Sequence, residues 1–277
     1  MNRLPIEKQA LVLNSLIEGV SIRATVRLTG VNKKTVMRLL VEAGYRAQDI
    51  LDREMVNIQS NFVQVDEIWT YVGKKQKQLK PFESEDLGDQ YVFVAMDSET
   101  KLVPTFLVGK RNEINSISIM KDLQYRITNK FQLTTDAFKP YFNAVDSVFG
   151  EDVDYGQIHK EYREDSKGEK RYSPAQIVRV IIKPLIGNPK RKRISTSHIE
   201  RQNLTIRMQM RRFTRLTNAF SKKLENLKAA TALHFFHYNF MRIHSSLRVT
   251  PAMEARITNR LWNWEDLLTR GSEKIAA

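Results

Sequence analysis

The apolar positions change period several times along the chain, and each change marks an element. Between residues 5 and 18, Ile6, Ala10, Leu13 and Ile17 recur at helical spacing and form one stripe, which Gly19 ends. Ser21 is placed to cap a short second helix carrying Ile22 and Val26. "TGVN" at 29 to 32 then supplies a turn, and Asn32 caps a third helix, "KKTVMRLLVEAG". That helix turns Val36, Leu39 and Leu40 inward and Lys33, Lys34, Thr35 and Arg38 outward. After a polar, unpatterned connector near 48 to 60 the period falls to two. "NFVQVDEIWTYVGKK" alternates, and "YVFVAMDSETKLVPTFLVGK" reads as two strands joined by a turn at Asp97, Ser98 and Glu99. A helix around 113 to 127, a short strand "FQLTTDAF" and a helix near 140 to 149 follow. Residues 151 to 173 are highly charged with few large apolar side chains and read as a surface insertion; "AQIVRVIIKPLIG" is strand-like again. From about 196 the pattern is mostly helical.

Strands grouped first and then alternating with helices imply an α/β fold, a mixed sheet flanked by helices, preceded by a small all-α unit. The expected divisions are 1–48 for the helical unit, 49–60 for a linker, 61–250 for the sheet domain with an insertion at about 151–193, and 251–277 for a helical tail. Helix, helix, glycine turn and a basic-fronted helix is the layout of a helix-turn-helix, whose last helix enters the DNA major groove. An ordinary three-helix bundle with a solvated basic face has the same pattern.

Charge separates those readings. The 277 residues carry a net charge of +14, which makes a polyanionic partner the leading explanation, nucleic acid ahead of a membrane surface. No apolar run approaches the roughly 18 residues of a spanning helix. The N-terminus interleaves Glu7, Lys8 and Glu18 with apolar residues, unlike a signal peptide, so a cytosolic location is expected. With no cysteine there is no disulfide, thiol nucleophile or cysteine zinc site. Most of the excess lies between Lys190 and Lys223, where eleven basic residues surround one acid, Glu200. Such a segment suits salt-dependent, sequence-tolerant phosphate contacts, with Arg201, Arg207, Arg211 and Arg212 among the candidates.

Three acids sit where a chain presents a metal ligand. Asp66 lies inside a β-branched and aromatic strand, Asp136 ends a short strand where a sheet hands over to a loop, and Glu200 lies on a helix with Asn203 and Arg207 on the same face. Carboxylate oxygens suit Mg²⁺, which keeps waters and substrate phosphate in its shell. Each acid also has an ordinary reading: a strand-edge acid paired with lysine, a turn residue, a helix-surface charge. Glu67 is expected on the opposite sheet face from Asp66. In "HFFHYNFMRIH", His234, His237 and His244 have a spacing that can make a zinc site, although the interleaved phenylalanines favour a core helix.

The blocks "VDEIWTYVGKK", "TTDAFKPY", "ISTSHIERQNLTIRMQMRRFTRLTNAFSKK" and "HYNFMRIHSSLRVTPAMEA" resemble transposases of bacterial insertion sequences, specifically the insertion-sequence-one family. More broadly they resemble the DDE enzymes with a ribonuclease-H-like core. The resemblance covers residue 61 to about 255, and "GVNKKTV" looks like the family's helix-turn-helix. It implies that Asp66, Asp136 and Glu200 form a catalytic triad holding two Mg²⁺ ions, for which Mn²⁺ can substitute. It places the first two on neighbouring strands and the third on a helix across the sheet. Arg207 matches a basic position that holds DNA near the active site; Asn203 lies close by on the same face. The implied reaction is cleavage at transposon ends and joining of the 3′-hydroxyl to target DNA. The implied partners are double-stranded terminal repeats, target DNA and further copies of the chain on paired ends, with no membrane, in a bacterial nucleoid. A non-catalytic helix-turn-helix regulator and a nuclease of the same fold without strand transfer are the alternatives. The stretch between Asp136 and Glu200 is longer than in compact members, and the cysteine zinc finger of some relatives is missing.

Overall fold

The computed structural model describes residues 4–162, 177–214 and 217–270. Three helices come first, α1 (Ile6–Ile17), α2 (Ile22–Thr29) and α3 (Lys33–Glu54). Ser21 accepts from the Ala24 N–H and Asn32 from the Lys34 N–H, so both expected caps form. Gly30 supplies the turn in the left-handed conformation, φ 67°.

α3 does not stop at Gly44. It runs to Glu54 through most of the stretch read as a connector, and buries Ala47, Ile50 and Leu51. Its partner is α7 (Leu224–Phe236), and the contact is so close that a Cβ on Gly44 would lie 2.5 Å from the Ala229 Cα. Gly44, which read as a helix end, is therefore a mid-helix glycine that lets two backbones meet. α9 (Trp264–Arg270) closes over α1 and α3: Trp264 Nε1 donates to Asn14 Oδ1 at 2.6 Å, and Arg46 donates to the Leu268 carbonyl at 2.7 Å.

The sheet has six strands: β1 (Phe62–Val72), β2 (Gly88–Asp97), β3 (Thr105–Gly109), β4 (Phe131–Asp136), β5 (Val153–Tyr162) and β6 (Ile177–Ile186). Their order is β3-β2-β1-β4-β5-β6, with β1 parallel to β4, β4 parallel to β5 and the other pairings antiparallel. Val92 to Met96 are buried in succession, as on a strand covered on both faces. α4 (Glu113–Arg126) and α5 (Lys139–Phe149) cover one face, and Tyr141 of α5 meets Phe93 edge-on. α6 (Ser197–Gln209) covers β1 from the other face.

Residues 151 to 193, read as an insertion, contain two strands of this sheet. Val153, Tyr155 and Ile158 are buried in register with β4, while the charges that mask the pattern cluster at the far end of β5. The rest of the charged stretch, 163–176, lies outside the described residues.

α7 continues into a π-helical turn, His237–Met241. Inside it, buried Asn239 accepts from the Val103 N–H at 3.0 Å and donates to the Val103 carbonyl at 2.9 Å. One amide thereby satisfies both backbone groups of a residue that lies between β2 and β3. α8 (Pro251–Glu254), capped by Thr250, precedes α9. Among the described residues no helix is long and apolar enough to cross a membrane.

Candidate active site

β4 ends at Asp136, while β1 has lost its parallel neighbour after Val65 and runs on. The two parallel strands thus leave a crevice at their carboxyl ends, the usual place for a ligand in an open sheet of this kind. Asp66 and Asp136 stand at its mouth, one from each strand. α6 brings Glu200 to the same cleft, whose volume is about 500 Å³ and whose lining also includes Arg111, Lys160 and Thr196.

The position of α6 is set from the sheet. Thr196, at the N-cap, makes no side-chain cap; Ser195 Oγ accepts from the Ser197 N–H at 3.2 Å, and Gln64 of β1, buried, accepts from the His198 and Ile199 N–H groups at 3.1 and 3.0 Å. Ile199, Gln202, Asn203 and Ile206 are the buried positions of the helix, at the spacing of one face. Asn203 donates from Nδ2 to Asp66 Oδ2 at 2.9 Å, a second tie between the same helix and strand. Glu200 lies in the first turn, where the positive end of the helix dipole favours an acid.

The electrostatics are those of crowded acids. Burial pushes Asp66 up to about 7, reinforced by the charges of Glu67, Asp136 and Glu200. Burial also raises Glu67 and Asp136. Glu67 points to the α5 side of the sheet, as strand alternation requires, and lies beside the buried Tyr141 phenol. Yet its carboxylate, Asp66 and Asp136 have oxygens within 4.8 Å of one another, because β4 ends there and no strand separates the two faces. Among the described residues these three acids form the one such cluster of possible metal ligands, and Glu200 is not in it.

Two cations pair with these acids. Arg111, in the loop after β3, donates from Nε to Glu67 at 2.6 Å, comes within 3.8 Å of Asp136, and lies 3.8 Å from the Phe138 ring centre. Lys160 of β5 pairs with Glu200 Oε1, the oxygen that also accepts from Thr196 Oγ1 at 2.6 Å. The Phe138 N–H donates to Asp136 at 3.0 Å.

The structure therefore brings Asp66, Asp136 and Glu200 to one cleft, with Asn203 buried behind Asp66 and bonded to it. Lys33, Lys34 and Arg38 are exposed on α3 with Thr35 half-buried, and Arg38 pairs with Glu42 at 3.6 Å. Arg201 and Arg211 are exposed, and Arg207 is half-buried one turn beyond Asn203. Arg212 departs from expectation. Its guanidinium donates to Ser221 Oγ at 2.9 Å, and burial pushes it down to about 10. Arg215 lies outside the described residues. The basic turn at 190–193 packs against the first residues of the strands: Arg193 lies 4.6 Å from the Phe62 ring centre and Lys190 pairs through its backbone with Gln132.

The three histidines do not converge. His234 is fully buried beside Phe235 and Tyr238, His237 stacks on Trp264 at 6.0 Å, and His244 shares a hydrogen bond with Ser246. Three residues at or beside the cleft were not among the expected site residues. Glu67 was weighed as the neighbour of Asp66 but not chosen, and Lys160 was visible as the next same-face position after Ile158; nothing in the sequence pointed to Arg111.

No family model matches the chain, and no curated protein does. Among solved structures it is similar to a crystal structure of the Mos1 strand transfer complex, at 13% identity and TM-score 0.25, over 56% of this chain and 58% of that one. It is also similar to a cryo-EM structure of the piggyBac transposase synaptic complex with hairpin DNA, at 9% identity and TM-score 0.39, over 98% of this chain and 72% of that one. A Mos1 transposase paired-end complex with the left transposon end gives 12% identity and TM-score 0.19, over 53% of this chain and 57% of that one. The chain spans a little over half the length of the Mos1 chains it matches.

Proposed function

We propose that this chain is a DNA transposase that cleaves transposon ends and joins the 3′-hydroxyl to target DNA by metal-assisted phosphoryl transfer. The observation that carries this reading is the meeting of Asp66, Asp136 and Glu200 in one cleft, from two adjacent parallel strands and a helix across the sheet, in a chain of net charge +14. That is the placement implied by the insertion-sequence resemblance and by a ribonuclease-H-like core, and the quoted sequence blocks carry all three acids.

The donors suit a hard divalent cation: they are carboxylate oxygens, Asp66 and Asp136 crowd with Glu67 to within 4.8 Å while Glu200 faces them across the cleft, and burial makes the charge of Asp66 costly without a counter-cation. Asp66, Asp136 and Glu200 would hold Mg²⁺ or Mn²⁺. When bound, the metal supplies activation of the attacking oxygen and neutralisation of the leaving one. The remaining work belongs to the protein. Asn203 fixes the orientation of Asp66, and Arg111 places a positive charge between Glu67 and Asp136. Arg201, Arg207 and Arg211 grip phosphates along the approach to the cleft, and Arg212 supports the segment from inside. α1 to α3 act as the helix-turn-helix, with Lys33, Lys34, Thr35 and Arg38 toward the terminal repeat. Pairing of two ends calls for at least two copies of the chain.

A strand-transfer assay with the element's end sequences and Mg²⁺ or Mn²⁺ tests the reading. Asp66→Asn, Asp136→Asn and Glu200→Gln are each expected to abolish cleavage and joining while DNA binding persists. DNA binding without any cleavage or joining, by the wild type and by all three variants alike, would leave only the regulator; nicking by the wild type without joining would leave the nuclease.

A further inference from the structure

Glu200 faces the acid pair but is not grouped with it. Its Oε1 is taken by the Lys160 ammonium and the Thr196 hydroxyl, whereas Asp66, Glu67 and Asp136 crowd together on the other side of the cleft. Lys160 is no surface lysine: its side chain is 16% exposed and reaches the cleft from β5, the strand next to Asp136. It is a cation built into the place where Glu200 would meet a metal.

We infer, on the metal-enzyme reading above, that Lys160 is a resident counter-cation of Glu200 which a divalent ion must displace, and that its freed ammonium binds a DNA phosphate at the cleft. The costly group to leave unpaired is the ammonium, on a side chain only 16% exposed, and Glu200, 46% exposed, is the anion that holds it in the metal-free site. A divalent ion offers Glu200 more charge and several oxygens at once. The ammonium then needs an anion of its own. A lysine head on a four-carbon stem can swing to a phosphate as a point charge, where a rigid arginine fork has fewer options. The cleft opens to solvent beside Lys139 and His159, so a backbone phosphate can reach it. Metal and DNA therefore assist each other: each relieves the cost that the other imposes on Lys160, and the coupling is reciprocal.

Calorimetric titration of the full chain with Mn²⁺, with and without a DNA duplex, tests this without measuring activity. Lys160→Met is expected to bind Mn²⁺ about tenfold more tightly than the wild type in the absence of DNA, within the range of ordinary couplings. Lys160→Arg keeps the cation and is expected to bind no more tightly than the wild type. Lys139→Met removes the same charge from the cleft rim and serves as the control for bulk electrostatics, with a change below about threefold. DNA is expected to raise Mn²⁺ affinity in the wild type and to do so far less in Lys160→Met. Equal gains in Lys160→Met and Lys139→Met, or weaker binding in Lys160→Met with an unchanged melting profile, overturn the inference. If Lys160→Met does not fold, the Lys160→Arg titration decides: tighter binding than the wild type overturns it. Absence of any Mn²⁺ binding sensitive to Asp66→Asn overturns the metal reading itself, and the inference with it.

Discussion

Asn203 shows how a neutral side chain can control an acid. Its Nδ2 holds Asp66 Oδ2, while its own Oδ1 is buried without a partner, so the amide has one productive orientation. Asn203→Ala is expected to lower cleavage by about 10- to 100-fold, the usual cost of losing a ligand's supporting bond, with duplex affinity unchanged in a filter-binding or anisotropy assay. Asn203→Asp adds a further charge to the cluster and is expected to be worse. His234 gives a pH prediction away from the cleft. Burial pushes it down to about 3, and His237 to about 4, against an ordinary value near 6.5. Below pH 6.5 the unfolded chain therefore takes up protons that the folded chain refuses, and stability falls as pH falls toward those values. Urea midpoints at pH 7 and pH 5 are expected to differ less in His234→Leu than in the wild type, with His237 keeping part of the slope. Single residues were unevenly legible. Asp66 stood out as an acid in an apolar strand, Asp136 as the acid at a strand end, and Glu200 as the one acid in a basic stretch. Glu67 was assigned its correct face, but its approach to Asp136 depends on where β4 stops, which no pattern in β1 records.

At the scale of elements, glycine and charge were the two misleading signals. Gly44 was the last residue of the third helix as read from sequence, whereas in the fold it lies mid-helix and its missing side chain admits Ala229. Gly44→Ala should raise helix propensity yet is expected to lower stability by about 1–3 kcal/mol, because the added methyl meets backbone rather than a movable side chain. Chemical denaturation measures the sign, and a stabilised variant would show that α3 and α7 are free to separate. β5 was hidden for the opposite reason. Its buried alternation covers only its first half, and the lysine and glutamates that follow made it look like a surface loop. The strand is nevertheless what carries Lys160 to Glu200. α6 was easier, since Ile199, Asn203 and Ile206 repeat at helical spacing, although two of its first N–H groups are capped by Gln64 far away in sequence.

For the whole molecule the excess of positive charge has a measurable form. Duplex affinity is expected to fall steeply with salt, and Arg201→Ala to flatten the log–log slope by about one by removing one phosphate contact. Arg212→Ala is expected to leave that slope unchanged and to lower stability, because its guanidinium is spent on Ser221. A flattened slope for Arg212→Ala would place that side chain on DNA. Most helices and the strands β1 to β4 could be read from sequence; the packing of α1 and α3 on α7 and α9 could not, since an apolar stripe does not name its partner. That packing bears on how the protein is made. Domains usually fold as they leave the ribosome, N-terminal first. Here α1 and α3 rest on α7 and α9, with Asn14 waiting for Trp264. The three helices at the front thus gain their packing partners only when α7 and α9 have been synthesised, and a chain stopped before α7 is expected to melt at lower denaturant than the same helices in the longer chain.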